Sequence, residues 1–387
     1  MTAGAVAPER GTLAGIRVLE LGQILSAPFA GMIFADLGAE VIKVEKPDGG
    51  DDQRRMGPAL GEGDALAFHE INRGKLSVTI DLKTPAGIAD LERLVDTADV
   101  LIHNLRPGVA ESLGIGAEAM RGRNPRLIYC AISGFGRVGP LSAEPAFEPI
   151  AQAFSGLCSV NGEPGGPPVR IGCSVVDFGT GMWSVIAVLS ALHQRETTGH
   201  GATIDCSLLE TAMTWASPHV SAYLNLGREP ARQGTAHPTM VPYQAFETLD
   251  GPLMVAAGND RLFAKLAGVV GHAEWAQDER FRTNRARMQS RPELIALLES
   301  AFHAAPRAEW IERLRRAGVP CTPMNTIAEA VASPQTAALG QQIRHVAGSE
   351  LTLSALPLSF EGRRPSPSSL APKLGEHNAA LLGRTVS

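Results

Sequence analysis

The opening of the chain constrains its fold more than any other stretch. Residues 15–22, GIRVLELG, form an apolar run that predicts a buried strand, and QILSAPFAGMIFADLG follows with apolar residues at helical spacing. AEVIKVEKP then indicates a second strand, which ends at Pro47. A strand–helix–strand unit of about 30 residues is long enough to cross over between parallel strands. The sequence therefore predicts a parallel sheet.

The same alternation continues through LSVTIDL, a helix from about Pro85 to Asp96, DVLIHNLRPG, NPRLIYCAISGFG and GATIDCSLLETAMTWA. It predicts an α/β class fold, with a doubly wound large domain over residues 1–220. The pattern then changes to a hairpin-like YQAFETLDGPLMVAAG and several amphipathic helices, which predict a smaller α+β domain over residues 225–330. Strand-like sequence in residues 331–387 predicts a return to the large domain.

Composition excludes several classes of partner. The net charge is −5, no long basic cluster occurs, and aromatic residues make up only 5% of the 387 residues. These features argue against a nucleic acid or a membrane surface as a partner. The five cysteines lack metal-ligand spacing and indicate reduced thiols. With no apolar leader and no run approaching 18 apolar residues, we expect a cytoplasmic protein.

Asp177 is the most informative candidate residue. In RIGCSVVDFGTGMWSVIAVLSAL it stands between a run of small and β-branched residues and a long apolar helix pattern. The scattered histidines and the lack of an acidic cluster argue against a metal ligand. Gly179 and Gly181 are expected to keep the carboxylate accessible, and the helix N-terminus to keep it ionised near neutral pH. A helix N-cap and a nucleophile with nearby amide donors, such as that of Gly179, both remain open.

A nicotinamide-dependent oxidoreductase is a weaker alternative. Glu45 stands at the end of the second strand, where a ribose-binding acid would lie. The turn between first strand and first helix reads GQILSAP and lacks the glycine-rich sequence G-x-G-x-x-G. Without it, nothing allows the backbone to approach a pyrophosphate closely.

Six segments, in the same order, resemble the family III CoA-transferases, the group that contains formyl-CoA and carnitine CoA-transferases. They are GIRVLELGQILSAPFAGMIFADLGAEVIKVEKPDGGD, INRGKLSVTIDLK, ISGFGRVGP, the Asp177 stretch, RETTGHGATIDCSLLE and LAPKLGEH. The resemblance implies that Asp177 forms covalent acyl and CoA intermediates. It also implies a Rossmann-like large domain with a parallel sheet, built from both chain ends, a small middle domain, and an interlocked homodimer.

The same resemblance implies that CoA binds as a substrate, with no permanently bound cofactor and no metal. Its contacts would be Ile24, Leu25, Ser26, Lys46, Asn72, Arg73, Lys75, Asn104 and Leu105. The family often has an arginine shortly after the last of these, where this chain has Ser112. Other cations would have to replace that phosphate contact, and the candidates are Lys46, Arg73, Lys75 and Arg106.

Related acyl-CoA racemases and epimerases share the fold and the aspartate, and they form the main alternative. They also use a histidine where this chain has Phe147, followed by Glu148. Without that histidine, a two-base proton transfer lacks one partner, so CoA transfer is favoured. Glu148 is expected to position the acid substrate or the Asp177 carboxylate.

QGTAHPTMVPYQAFETLDGPLMVAAGN, residues 233–259, resembles the branch that uses dicarboxylic acids, including glutarate transferases that take CoA from succinyl-CoA. The implied reaction moves CoA from succinyl-CoA, or a similar acyl-CoA, to glutarate, itaconate, mesaconate, malate or citramalate. A bound dicarboxylate keeps one free carboxylate, and the candidates to hold it are His237, Arg54 and Arg55. The alternatives are a turn-stabilising histidine and exposed arginines.

Overall fold

A computed structural model of the chain describes residues 11–59, 63–340, 342–343 and 351–383. The chain divides into two compact units. The first contains Met1–Cys158, Arg170–Arg228 and Ala337–Ser387, and the second contains Ser159–Val169 and Glu229–Thr336. The second unit thus also takes in a short segment that lies within the large domain expected from the sequence.

The strands, in chain order, are β1 Arg17–Leu21, β2 Glu40–Glu45, β3 Leu76–Thr79, β4 Val100–His103, β5 Ile128–Ser133, β6 Thr203–Ser207, β7 Tyr243–Glu247, β8 Pro252–Ala256, β9 Cys321–Pro323, β10 Gln342–Ile343 and β11 Leu353–Ser354.

The helices are α1 Ser26–Asp36, α2 Leu66–Asn72, α3 Pro85–Val95, α4 Val109–Ser112, α5 Ala117–Arg123, α6 Glu148–Phe154, α7 Leu157–Val160, α8 Val175–Thr198, α9 Leu208–Trp215, α10 Ser217–Leu226, α11 Asp260–Val269, α12 Asn284–Gln289, α13 Arg291–Phe302, α14 Arg307–Ala317, α15 Ile327–Ala332, α16 Pro334–Ala338 and α17 Asn378–Leu382.

The first unit is built on a six-stranded sheet in the order β3-β2-β1-β4-β5-β6, and every neighbouring pair is parallel. The prediction of a parallel α/β sheet is therefore confirmed. Alternate strand residues enter two cores: Val18 lies in the one formed with α1 and α8, and Leu19 in the one formed with α3 and α5. Because both faces are covered, the central strands β1, β4 and β5 are rich in apolar residues, as the opening run GIRVLELG indicated.

The C-terminal segment covers the edge strand β3. The imidazole Nδ1 of His377 accepts a hydrogen bond from the Ser77 amide at 3.1 Å, and Asn378 Oδ1 accepts one from the Thr79 amide at 2.8 Å. These side chains occupy the backbone donors that an edge strand leaves unpaired. The segment LAPKLGEH thus ends at a residue that covers an edge strand some 300 residues earlier in the chain.

Helix α8 is the longest helix described, with 24 residues. It is the one candidate membrane span among the described residues, by length and apolar content alone, although the sequence showed no uninterrupted run of that length. Half of its most apolar window is buried within the protein, which is also typical of the core helix of a soluble protein. A single such helix is weak evidence for a membrane span.

The second unit has a three-stranded antiparallel sheet, in the order β7-β8-β9, and its own core. The predicted hairpin is present, with Tyr243 paired to Ala256 and Glu247 to Pro252 around Asp250–Gly251. Within the core formed by this sheet and the helices, Phe246 stacks on Phe302, and Trp310 packs edge-on against Phe302. Of the strand-like C-terminal sequence LTLSALPLSF, only Leu353–Ser354 form a strand.

Candidate active site

A cavity of about 330 Å³ opens at the carboxyl ends of β1, β4 and β5, wholly within the first unit. The strand order reverses between β1 and β4, and such a switch point at the carboxyl edge is where open α/β sheets bind ligands. The cavity brings together seven of the residues predicted from the sequence. These are Ile24, Leu25, Ser26, Asn104, Leu105, Glu148 and Asp177.

Asp177 is the third residue of α8 and not its N-cap. Ser174 occupies the cap position, and no side chain caps this end of the helix. Burial, together with the nearby Glu148 carboxylate, raises the pKa of Asp177 to about 7. The expectation that the helix N-terminus keeps this acid ionised near neutral pH was wrong, because burial and the Glu148 charge both favour the protonated form. At neutral pH, Asp177 is instead present in both its protonated and its ionised form.

Gly179 and Gly181 serve helix packing. A Cβ at Gly179 would lie 2.6 Å from the Trp215 ring, and one at Gly181 would lie 2.7 Å from the Ser26 carbonyl oxygen. Gly179 therefore permits close contact with α9, and Gly181 permits close contact with α1. The expectation that these glycines open a path for a ligand was wrong. The Gly179 amide also lies beyond the first turn, where helical amides are engaged by the backbone, which makes it a poor oxyanion donor.

Glu148 begins α6 and is only 4% exposed. Its Oε1 accepts a hydrogen bond from the Gln152 side-chain amide, while Oε2 is buried and has no hydrogen-bond partner among the described residues. Two carboxylates thus face one cavity without an intervening cation. An unpartnered buried oxygen is costly unless a ligand or water satisfies it.

The loop from β1 to α1 forms the cavity wall that the resemblance assigned to CoA. Asn104 fixes this loop from β4: its Oδ1 accepts from the Gln23 amide at 2.9 Å, and its Nδ2 donates to the Gln23 carbonyl at 2.8 Å. The same Nδ2 lies 3.3 Å from Ser26 Oγ. Asn104 therefore acts first on the protein backbone and sets the position of the neighbouring Ile24, Leu25 and Ser26.

His103 fixes the other side of the wall. Its Nδ1 accepts a hydrogen bond from the Leu105 amide at 3.1 Å, and its ring packs edge-on against Tyr129. Burial lowers the pKa of His103 to about 4. The ring therefore remains neutral, and able to accept this bond, throughout the physiological pH range.

Three other predicted CoA contacts, Asn72, Arg73 and Lys75, lie outside the lining of this cavity. Lys75 Nζ donates to Glu20 at 2.6 Å, to the Pro28 carbonyl at 2.8 Å and to Asn72 Oδ1 at 2.8 Å, which uses all three of its donors. Arg73 is 1% exposed and paired with Asp36 at 2.8 Å. In this structure these side chains hold the protein together, and they do not line the cavity.

Lys46 is placed differently. It lines an adjoining cavity of about 310 Å³, next to Lys83 and Ser112, and Gln23 and Leu105 contribute to both cavities. Lys46 is paired with Asp52 at 2.8 Å, but both side chains are more than two-fifths exposed. Such a surface pair is weak, so an incoming phosphate could displace it.

None of the residues predicted to hold a free carboxylate lines the Asp177 cavity. Arg54 is 5% exposed and bound by Glu45, Asp64 and the Pro372 carbonyl, so the alternative of an exposed arginine was wrong for it. Arg55 is exposed and paired with Asp52 at 3.0 Å. His237 belongs to the second unit, where its Nδ1 accepts from the Thr239 amide, as in the alternative of a turn-stabilising histidine.

Several site residues were missed or weighed only in passing. Arg106 is the cation that lines the Asp177 cavity, and the described residues offer it no ion pair. Gly134 in the segment ISGFG approaches Ala146 so closely that a Cβ would lie 2.3 Å from it. Glu20 and Lys43 are direct partners in the β1–β2 register, and a charge in the middle of each apolar strand was the signal that could have revealed them.

Comparison with known proteins identifies the family. The family model described as CoA-transferase family III matches residues 13–378. The chain belongs to this family. The family-level resemblance read from the six segments is thereby confirmed, and the protein is a CoA-transferase whose substrates are CoA thioesters.

Individual relatives agree at the level of the family. The chain is 40% identical over 385 residues to the succinate–glutarate CoA-transferase of Agrobacterium fabrum, covering 96% of this chain and 94% of the relative. It is also 40% identical over 387 residues to the acetyl-CoA:oxalate CoA-transferase of Acetobacter aceti, covering 98% and 97%. A crystal structure of a CAIB/BAIF family protein from Brucella suis is 40% identical, with a TM-score of 0.87, covering 97% of this chain and 99% of that one.

Proposed function

We propose that this CoA-transferase moves CoA from an acyl-CoA of a small acid, such as succinyl-CoA, to a dicarboxylic acid through covalent intermediates on Asp177. The observation that carries the proposal is a half-buried carboxylate, with no ion-pair partner among the described residues, in the cavity at the sheet's switch point. A pKa near 7 leaves a large share of Asp177 ionised at neutral pH, while burial keeps the ionised form poorly solvated and reactive.

The reaction is a sequence of acyl transfers. The Asp177 carboxylate attacks the thioester carbonyl and expels CoA thiolate, which gives a mixed anhydride. The thiolate attacks the aspartyl carbonyl, releases the donor acid and leaves an aspartyl-CoA thioester. The acceptor carboxylate then attacks this thioester, and the returning thiolate attacks the acceptor carbonyl of the second anhydride. The new acyl-CoA leaves, and the Asp177 carboxylate is restored.

The two adjoining cavities suit an elongated CoA thioester. Lys46 and Lys83 in the outer cavity can meet phosphates, which suits a chain that has Ser112 in place of the family's frequent arginine. Arg106 lines the same inner cavity as Asp177, so we assign it the free carboxylate of the dicarboxylic substrate. The two relatives with 40% identity act, by their names, on glutarate and on oxalate, which supports a dicarboxylic acceptor.

The decisive experiment is a substrate panel. The protein is incubated with succinyl-CoA or acetyl-CoA and with oxalate, glutarate, itaconate, mesaconate, malate or citramalate, and new thioesters are detected by mass. Formation of a dicarboxylyl-CoA supports the proposal. Solvent deuterium at the α carbon of an acyl-CoA, with no new thioester, would identify the racemase alternative instead.

We also propose an interlocked cytoplasmic homodimer. Helix α8 exposes Met182, Trp183, Ile186 and Leu189 along one side, and Leu224 on α10 is 74% exposed. Exposed apolar faces of this kind are typical of subunit interfaces. Sedimentation at nanomolar protein should show a dimer that does not exchange subunits without unfolding, and a rapidly exchanging folded monomer would refute it.

A further inference from the structure

Ile24 has an unusual backbone conformation. Its φ is +66°, and among the described residues only Glu361 shares a positive φ without being glycine. A β-branched side chain is strongly disfavoured in the left-handed region, so surrounding contacts must impose this conformation. Ile24 lies in the loop between β1 and α1 and lines the Asp177 cavity.

Asp51 binds the amide of this residue from outside the loop. Its Oδ1 accepts hydrogen bonds from the Ile24 amide and from the Gln53 amide, each at 3.0 Å. Asp51 is 1% exposed, and its Oδ2 lies 2.8 Å from the ammonium nitrogen of Lys43. Burial alone would raise the pKa of Asp51, but the Lys43 charge and these hydrogen bonds lower it, so the acceptor stays ionised.

Lys43 and Asn104 complete the support of the loop. Lys43 Nζ also donates to the Gly22 carbonyl at 3.0 Å, one residue before the Gln23 that Asn104 holds. Consecutive residues from Gly22 to Ile24 are therefore each fixed by a different side chain. Only at Ile24 does the held conformation oppose the intrinsic preference of the residue.

The arrangement replaces a glycine. In dinucleotide-binding turns, glycine supplies the backbone freedom for the tight passage from strand to helix. This chain has an isoleucine at the turn and a buried aspartate that enforces the turn through space. We propose that Asp51 is a positioning residue for the acyl-CoA donor: it holds Ile24 in the left-handed conformation and so fixes the Gln23–Leu25 wall against which CoA binds. This inference rests on the proposed function.

The test exploits the difference between glycine and alanine at position 24. Asp51→Ala should raise the KM for the acyl-CoA donor by roughly tenfold, because the loop leaves its strained conformation, while the acceptor KM changes less than about twofold. Adding Ile24→Gly to Asp51→Ala should restore most of the donor KM, since glycine adopts a positive φ freely. Adding Ile24→Ala removes a similar side chain but should not restore it.

Asp99→Ala is the matched control for lost stability. Asp99 also accepts a hydrogen bond from a backbone amide, that of Arg17 at 2.8 Å, and it pairs with the buried Arg195 at 2.9 Å. It precedes β4, however, and so lies at the amino ends of the strands, away from the cavity at their carboxyl ends. This variant should lower the melting temperature and leave both KM values unchanged. If Asp51→Ala behaves in the same way, or if glycine and alanine at position 24 rescue equally, the positioning role is refuted.

Two further measurements keep the test decisive. If Asp51→Ala does not fold, Ile24→Pro removes the amide donor and the left-handed conformation while Asp51 and Lys43 stay paired, and it should raise the donor KM alone. Amide exchange at Ile24 in the unliganded protein should be faster in Asp51→Ala and unchanged in Asp99→Ala. Amide exchange can be measured without enzyme activity. If the wild-type protein transfers no CoA, the proposed function is refuted, and the exchange result alone still tests whether Asp51 holds Ile24.

Discussion

Two groups of buried carboxylates in the first unit behave in opposite ways. Beneath the β1–α1 loop, Glu20, Glu45 and Asp51 each meet a cation, namely Lys43, Lys75 or Arg54, at 2.6 to 2.8 Å. At the cavity, Asp177 and Glu148 face each other's charge with no cation between them.

The consequence appears in their acidities. Burial would raise the pKa of both Glu45 and Asp51, but hydrogen bonds and neighbouring charges from Arg54 and Lys43 lower it. Burial and Glu148 together raise the pKa of Asp177 to about 7. Glu45 and Asp51 are therefore fixed structural anions, whereas Asp177, which has no ion-pair partner among the described residues, is a reactive acid.

The largest effect is expected at the unpaired carboxylate. Asp177→Asn preserves shape but removes the nucleophile, so turnover should fall by about three orders of magnitude or more. With acyl-CoA and hydroxylamine, the wild type should form a hydroxamate at Asp177, detectable by peptide mass, and the variant should not. Asp260→Asn, at the start of α11, is the control for a lost helix-start charge and should retain turnover.

The pH dependence of stability checks the same substitution. The pKa of Asp177 is higher in the folded protein than in the unfolded chain. Asp177 therefore stabilises the fold at low pH, and this contribution is lost as the pH rises through about 7. Asp177→Asn should therefore gain thermal stability relative to wild type between pH 5 and pH 8. Full activity, a label on Glu148, or no relative gain would each contradict the role assigned to Asp177.

The next effect is expected in the paired group. Glu20→Gln leaves Lys75 without its ion-pair partner and Lys43 with only Asp51, so unfolding in denaturant should become easier by about 3 kcal/mol at pH 7. Burial lowers the pKa of Lys75 to about 8, so this lysine is largely neutral at pH 9 in either protein. The loss of stability should therefore be smaller at pH 9, and an equal loss at both pH values would count against this account.

Glu148→Gln addresses the coupling between the two cavity carboxylates. Removing the Glu148 charge should lower the pKa of Asp177, because that charge is the second cause of its rise after burial. The acidic midpoint of the pH profile of kcat/KM should move below that of wild type, which we expect near 7. An unchanged midpoint would show that the two acids do not interact. Abolished transfer would show that Glu148 does more in the reaction than raise the pKa of Asp177.

The smallest effect is expected at the unpaired cation of the cavity. Arg106→Ala should raise the KM of a dicarboxylic acceptor several-fold, equivalent to about 1 kcal/mol for one partly solvated contact. The KM of acetate as acceptor should stay the same, and Arg93→Ala, far from the cavity wall, should change neither value. If acetate is affected as strongly as the dicarboxylate, Arg106 does not read the second carboxylate.

The sequence predicted the sheet well and the electrostatics poorly. The hydrophobic periodicity and the order of the segments were enough to predict the parallel strands, because a sheet covered on both faces requires continuous apolar runs such as GIRVLELG. They did not reveal that Lys75, Arg73 and Arg54 are buried, since their acidic partners lie up to 55 residues away. The acidity of Asp177 likewise depends on Glu148, which only the folded chain brings to the same cavity.

The turn at Ile24 shows a second limit. The lack of a glycine-rich sequence in GQILSAP argues against a nicotinamide-dinucleotide turn, but it does not indicate that the backbone still adopts a positive φ there. Local preference gave no warning, because the determinant is the carboxylate of Asp51, 27 residues further along the chain. The sequence suggests Arg106 only as a phosphate contact; it follows β4, which packs next to β1, so its place on the wall of the Asp177 cavity depends on the fold.

The covered edge of β3 has a consequence for biosynthesis. Ser77 and Thr79 leave the ribosome about 300 residues before His377 and Asn378, which later occupy their amides. During translation the growing sheet therefore carries an open edge, available for pairing with other nascent chains, until His377 and Asn378 have been made. A chain that stops short of His377 would keep this open edge after synthesis. Chaperones and proteases would then act on it whether or not its catalytic residues were intact.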